Sequence, residues 1–203
     1  MRLFTAIFVV SFLLPGNSYG QVNPFSVLGK VVTTSMDART KAEVTADTEI
    51  AAAASKRLLD DKKSEWAGVT VMLFAQHAVI AGAVKTEAVK KRVEELVKQD
   101  RRIRSLKNEL LVGELGSLAR DTALEAEINA KLTAAKGVSS VNMRWCATGG
   151  NVVLMGVAQS QAEATHAVAT VRGIKGLKIN RPLDEISWTQ IDSESLFDPW
   201  KIR

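Results

Sequence analysis

Asp47-Thr48 recurs 74 positions later as Asp121-Thr122, and the residues after each pair keep one pattern; a unit used twice restricts the fold more than any other feature. Ile50 falls on Leu124, Ala54 on Ile128 and Leu58 on Leu132, steps of three or four residues that lay an apolar stripe along a helix. The aspartate ahead of each stripe accepts hydrogen bonds from the free N–H groups of a first helical turn, so it reads as a helix start. Allowing a loop that differs by two residues, Val69, Val71 and Leu73 match Val141, Met143 and Trp145, an alternation expected of a half-buried strand. The turns that follow are Gln76-His77-Ala78 and Gly149-Gly150-Asn151, the second well suited to a tight hairpin. Beyond them the offset of 74 returns, with Val79-Ile80 over Val153-Leu154 and Gly82 over Gly156. A glycine inside a strand marks a bulge or the close approach of another backbone.

A second helix follows in each copy, with Val89, Val93, Leu96 and Val97 on one face in the first and an alanine-rich stretch near 161–171 in the second. Short apolar strands around Ile103 to Val112 and Ile174 to Leu183 close the units. The pattern predicts an α+β chain: two tandem αββαβ domains, each a three-stranded sheet with two helices on one face. The first spans 43–112 and the second 118–183. Each is so small that its stability alone is marginal, and only 113–117 separates them, so the copies are expected to pack together.

The ends differ from the repeat. Arg2 precedes a run from Leu3 to Leu14 that is apolar apart from Thr5 and Ser11, and Pro15-Gly16 and Ser18-Tyr19-Gly20 follow. Residues 1–20 thus read as a cleavable secretory signal peptide, too short in its apolar run for the roughly 20 residues a membrane span needs. Residues 21–42 form a lead-in. The single cysteine, Cys146, excludes an intrachain disulfide and reads as a buried thiol. The tail, 184–203, carries Trp188, Ile191, Leu196, Phe197 and Trp200; it either folds back over a repeat or docks a partner, with Trp188, Phe197 and Trp200 as anchors.

These residues resemble the BON family of exported bacterial proteins. Asp121, Val141-x-Met143, the run Gly150 to Val157 and Gly173-Ile174-Lys175-Gly176-Leu177 carry the resemblance in the second copy. Asp47, Val69-x-Val71, Gly82, Val84 and Ile103 to Asn108 carry it in the first. Met36-Asp37-Ala38-Arg39-Thr40 is similar to the lead-in of two-BON outer-membrane lipoproteins, although the lipid-bearing cysteine is absent. The resemblance implies a periplasmic protein of envelope maintenance or osmotic stress, with phospholipid binding through the domains.

No catalytic constellation is visible: His77, His166 and Cys146 are not at ligand spacing, so no metal site or cofactor is expected, and the chain reads as a non-enzyme. The charge is informative once located. Nine basic residues from Lys85 to Lys107, set against Glu87, Glu94, Glu95 and Asp100, hold the whole chain's excess of +5. Lys90–Glu94 and Lys91–Glu95 are spaced to neutralise each other on a helix. That leaves Lys98, Arg101, Arg102, Arg104 and Lys107 as the candidate contact for anionic phospholipid or a membrane surface. Nucleic acid is not expected of an exported chain. Envelope proteins are the alternative partners, met through sheet faces or the tail.

Overall fold

A computed structural model describes residues 37–61, 66–114, 116–175 and 177, and the backbone of 187–190. The first repeat runs α1 (Lys41–Asp60), β1 (Val69–Phe74), β2 (His77–Val84), α2 (Glu87–Val97), β3 (Ser105–Asn108) and β4 (Leu111–Val112). The second runs α3 (Leu118–Ala134), a 3-10 turn (Ser140–Asn142), β5 (Met143–Thr148), β6 (Asn151–Gly156), α4 (Gln161–Arg172) and β7 (Ser187–Gln190). In each sheet the second strand is central. It pairs antiparallel with the strand before it and parallel with the strand that closes the repeat, in the first copy the broken strand β3–β4.

The predicted stripes are buried: Ile50, Ala54 and Leu58 in α1, and Leu124, Ile128 and Leu132 in α3, pack on one sheet face each. Val93, Leu96 and Val97 of α2, and Ala167 and Val171 of α4, complete the two cores. The opposite sheet faces meet each other. Met72, Phe74, Val79 and Ala81 of the first sheet pack against Cys146, Met155 and Val157 of the second, giving a third core between the repeats. The expected packing of the copies takes this back-to-back form, so the sheet faces are covered on both sides.

Three sequence expectations are corrected. The aspartates are not helix starts. Thr40 caps α1 in a reciprocal arrangement with Glu43, Ser117 precedes α3, and Asp47 and Asp121 lie within the helices. The two-residue loop difference does not exist either, because Val69 pairs with Gly82 and Met143 with Gly156, so the offset of 74 runs unbroken. Val69 therefore corresponds to Met143, and Val141 sits in the 3-10 turn. A slip of two positions was invisible because strand side chains alternate with a period of two, and the faces came out the same. The turns are likewise two residues long, Ala75–Gln76 and Gly149–Gly150, closed by Phe74 opposite His77 and Thr148 opposite Asn151.

The closing strand of the second sheet is also displaced. Ile174 is buried in the core and Leu177 packs beside it from the turn after α4, so these apolar residues fill the core rather than build a strand. The partner of β6 is Ser187–Gln190, inside the segment read as a tail, with Trp188 opposite Leu154 in the backbone register.

Candidate functional site

The basic segment turns a corner. α2, capped by the Thr86 hydroxyl, ends at Val97, and a tight turn from Lys98 to Arg104 leads into β3. The turn is fixed by backbone hydrogen bonds: Asp100 N–H donates to the Val97 carbonyl (3.3 Å), Ile103 N–H to that of Asp100 (3.2 Å), and Arg104 N–H to that of Gln76 in the β1–β2 turn (2.9 Å). All five candidate residues are exposed, Lys98, Arg101, Arg102 and Arg104 on this turn and Lys107 in β3 beyond it.

Four of them are paired. Lys98 Nζ lies 2.6 Å from Glu94, Arg104 3.8 Å from Glu43 and Lys107 2.8 Å from Glu109. Arg102 grips Asp100 with Nε and Nη2, both at 2.9 Å, and reaches Glu49 at 2.7 Å. Arg101 makes no ion pair among the described residues. The helix pairs expected at Lys90–Glu94 and Lys91–Glu95 are not the ones formed. Lys90 donates to the Leu110 carbonyl at 2.7 Å, Glu94 takes Lys98, and Glu95 faces Arg92 at 3.4 Å. The acids that balance the corner thus come partly from α1, which a reading of the local segment does not see.

The two aspartates of the repeat do similar work in each copy. Asp47 accepts the N–H groups of Ala75 (2.8 Å) and Gln76 (2.7 Å), and Asp121 accepts those of Gly149 (2.9 Å) and Gly150 (3.4 Å). Each ties a helix to the hairpin turn of its own sheet. Both turns hold positive φ at their two central residues, 49° and 67° at Ala75 and Gln76, and 58° and 84° at the glycines. Only the first copy places side-chain-bearing residues there.

The BON domain matches residues 46–114 and 120–179, well over half of the chain. The chain belongs to the BON-domain family. A protein from Anaplasma centrale, described only as lying in the gshII 5′ region, is 30% identical over 117 residues, which cover 56% of this chain and 78% of that protein. Two structures of CdsD, a structural protein of the type III secretion system of Chlamydia trachomatis, one titled as its C-terminal domain, align at 17% identity. Their TM-scores are 0.25 and 0.26, over 61% and 64% of this chain. The alignment spans 59% of each of those chains.

Within the BON repeats burial shifts the one thiol and one of the histidines. Cys146 is buried, and burial pushes its thiol up to about 11. His77, hydrogen-bonded to Ser105 at 2.6 Å, is lowered by burial and by Arg104. Among the described residues no group of three potential metal ligands forms, and no helix is long and apolar enough to cross a membrane. Trp188 lies in β7, and Phe197 and Trp200 fall outside the described residues.

Asp100 gives a test of the corner. Its hydrogen bonds from Arg102 hold the carboxyl down at about 2, against the opposing effect of burial, from an ordinary 3.8. A carboxylate depressed on folding stabilises the native state above the ordinary range, and that contribution drains away as pH falls through the folded value. The thermal midpoint should therefore fall between about pH 4 and 2, and Asp100→Asn should start lower at neutral pH and lose less over that interval. Parallel acid slopes for the two proteins would show that Asp100 does not carry the effect.

Proposed function

We propose that this BON-domain protein is an exported, non-enzymatic protein of the cell envelope, active in envelope maintenance or osmotic stress, that rests on anionic phospholipid through residues 98–107. The observation that supports the reading is the exposure of Lys98, Arg101, Arg102 and Arg104 on one turn and of Lys107 on the strand it leads into, with Arg101 unpaired among the described residues. Exposed ion pairs contribute only about 0–1 kcal/mol each, so Lys98, Arg104 and Lys107 can trade a carboxylate for a lipid phosphate at little cost. Arg102 is the exception, because its partner Asp100 is buried. The corner is a contact of a few exchangeable charges, suited to reversible attachment.

Co-sedimentation with liposomes tests this, using the chain freed of residues 1–20. Binding should require anionic lipid and fade as salt shortens the reach of exposed charge. Arg101→Glu should weaken it roughly tenfold or more, from about 1 kcal/mol per charge and a change of two charges. Binding that ignores salt, or that survives Arg101→Glu unchanged, would move the function to a protein partner met elsewhere on the surface.

A further inference from the structure

Residues 37–39 belong to neither repeat and touch both. Ala38 N–H donates to the Asn142 side chain of the second repeat at 2.8 Å, and its methyl packs on the core between the sheets. Arg39 turns the other way. Its Nη1 donates to Asp47 of the first repeat at 2.9 Å, and its guanidinium lies 4.6 Å from the ring centre of Phe74. Phe74, fully buried, has Arg144 of the second repeat near the same ring at 5.4 Å.

We infer that residues 37–39 are a detachable strap that holds the two repeats closed, and that its release parts the sheets while each repeat stays folded. The hydrogen bonds favour release over unfolding. Arg39 carries its own counter-ion, because Asp37 accepts from its Nη2 at 2.7 Å and its Nε at 3.0 Å, so the departing segment keeps a neutral pair. Asp47 is not stranded, since the Ala75 and Gln76 N–H groups remain on it. Beneath the strap the contact is mostly apolar, and among the described residues no ion pair joins the repeats directly. Release takes Arg39 from Asp47 and Asp37 from the neighbourhood of Arg144, but Asp47 keeps its two N–H donors and Arg144 its bonds to the Val141 and Met143 carbonyls, so no buried charge is left without a hydrogen-bond partner.

Cys146 is a built-in reporter, because it is the only cysteine and lies in the core between the sheets. Its labelling by a thiol reagent in native buffer measures opening of that core. In the full chain, Arg39→Ala should raise the labelling rate roughly tenfold or more with the far-UV spectrum unchanged, since local opening sets the rate. Arg92→Ala removes a more exposed ion pair, to Asp61, elsewhere in the first repeat and should leave the rate within about twofold. Ala38→Pro, which deletes the N–H given to Asn142 but keeps both charges, should reproduce the rise. Wild-type labelling in Arg39→Ala, or an equal rise in Arg92→Ala, overturns the strap. Should Arg39→Ala fail to fold, Ala38→Pro decides by the same readout; loss of the fold in both would make the segment integral and the inference wrong.

Discussion

Gly156→Ala is expected to cost about 3–4 kcal/mol, the sum of backbone strain and a clash that neither neighbour can relieve. At φ 155° a Cβ would stand 2.1 Å from the Asn142 carbonyl oxygen, and that oxygen is held by the Val157 N–H at 3.0 Å. Gly82→Ala meets the same obstacle in the first copy, with φ 115° and the Gly68 carbonyl at 1.8 Å. Gly113 supplies the control: its φ is 154° but nothing lies within 4 Å of its added Cβ. Gly113→Ala should therefore lose only the conformational part, about 1 kcal/mol. Denaturant midpoints of the three variants separate clash from strain. Equal losses at Gly113 and Gly156 would mean that close approach is not what these positions require.

Asp47→Ala is expected to cost about 3 kcal/mol, and Asp121→Ala about half as much, although the two aspartates occupy the same place in the repeat. The difference lies in the turns. Asp47 holds Ala75 and Gln76 in the left-handed region and also meets buried Arg39, whereas Asp121 holds two glycines for which positive φ carries no Cβ penalty. Adding Gln76→Gly to Asp47→Ala should recover about 1 kcal/mol by removing that penalty. A glycine that restores nothing would place the extra value of Asp47 in its ion pair with Arg39, and two aspartates of equal weight would show that neither the ion pair nor the strained turn adds to it.

The duplication made most of the fold readable, because apolar spacing survives small errors of alignment. Val69 corresponds to Met143, two residues beyond Val141, yet Met143 and Trp145 keep the same sheet face under either match. The aspartates were misread for a physical reason. A carboxylate near a helix start can take its N–H groups from the helix or from a turn packed against it, and sequence spacing does not distinguish these. Thr40 with Glu43 three residues on was the better start signal. The pairing of the basic corner could not be read from its own segment, since Glu49 and Glu43 reach it from α1, 53 and 61 residues away from Arg102 and Arg104. Arg39 and Asn142 were missed because their importance comes only from the meeting of the two repeats. The lead-in Met36 to Thr40 stood out by resemblance alone.

The parallel pairing of β6 with β7 sets a timetable for the chain. The first sheet is complete once β4, ending at Val112, has been made, and every strand it needs lies within 44 residues of sequence. In the second sheet, the central strand ends at Gly156 and its parallel neighbour begins at Ser187. Closing so long a loop is slow, and a chain emerging from its amino end supplies that strand last. The first repeat can thus stand as a finished surface on which the second is assembled. In the interval one side of β6 has no strand beside it, and that unfinished edge is where a folding helper or another nascent chain would meet the protein first.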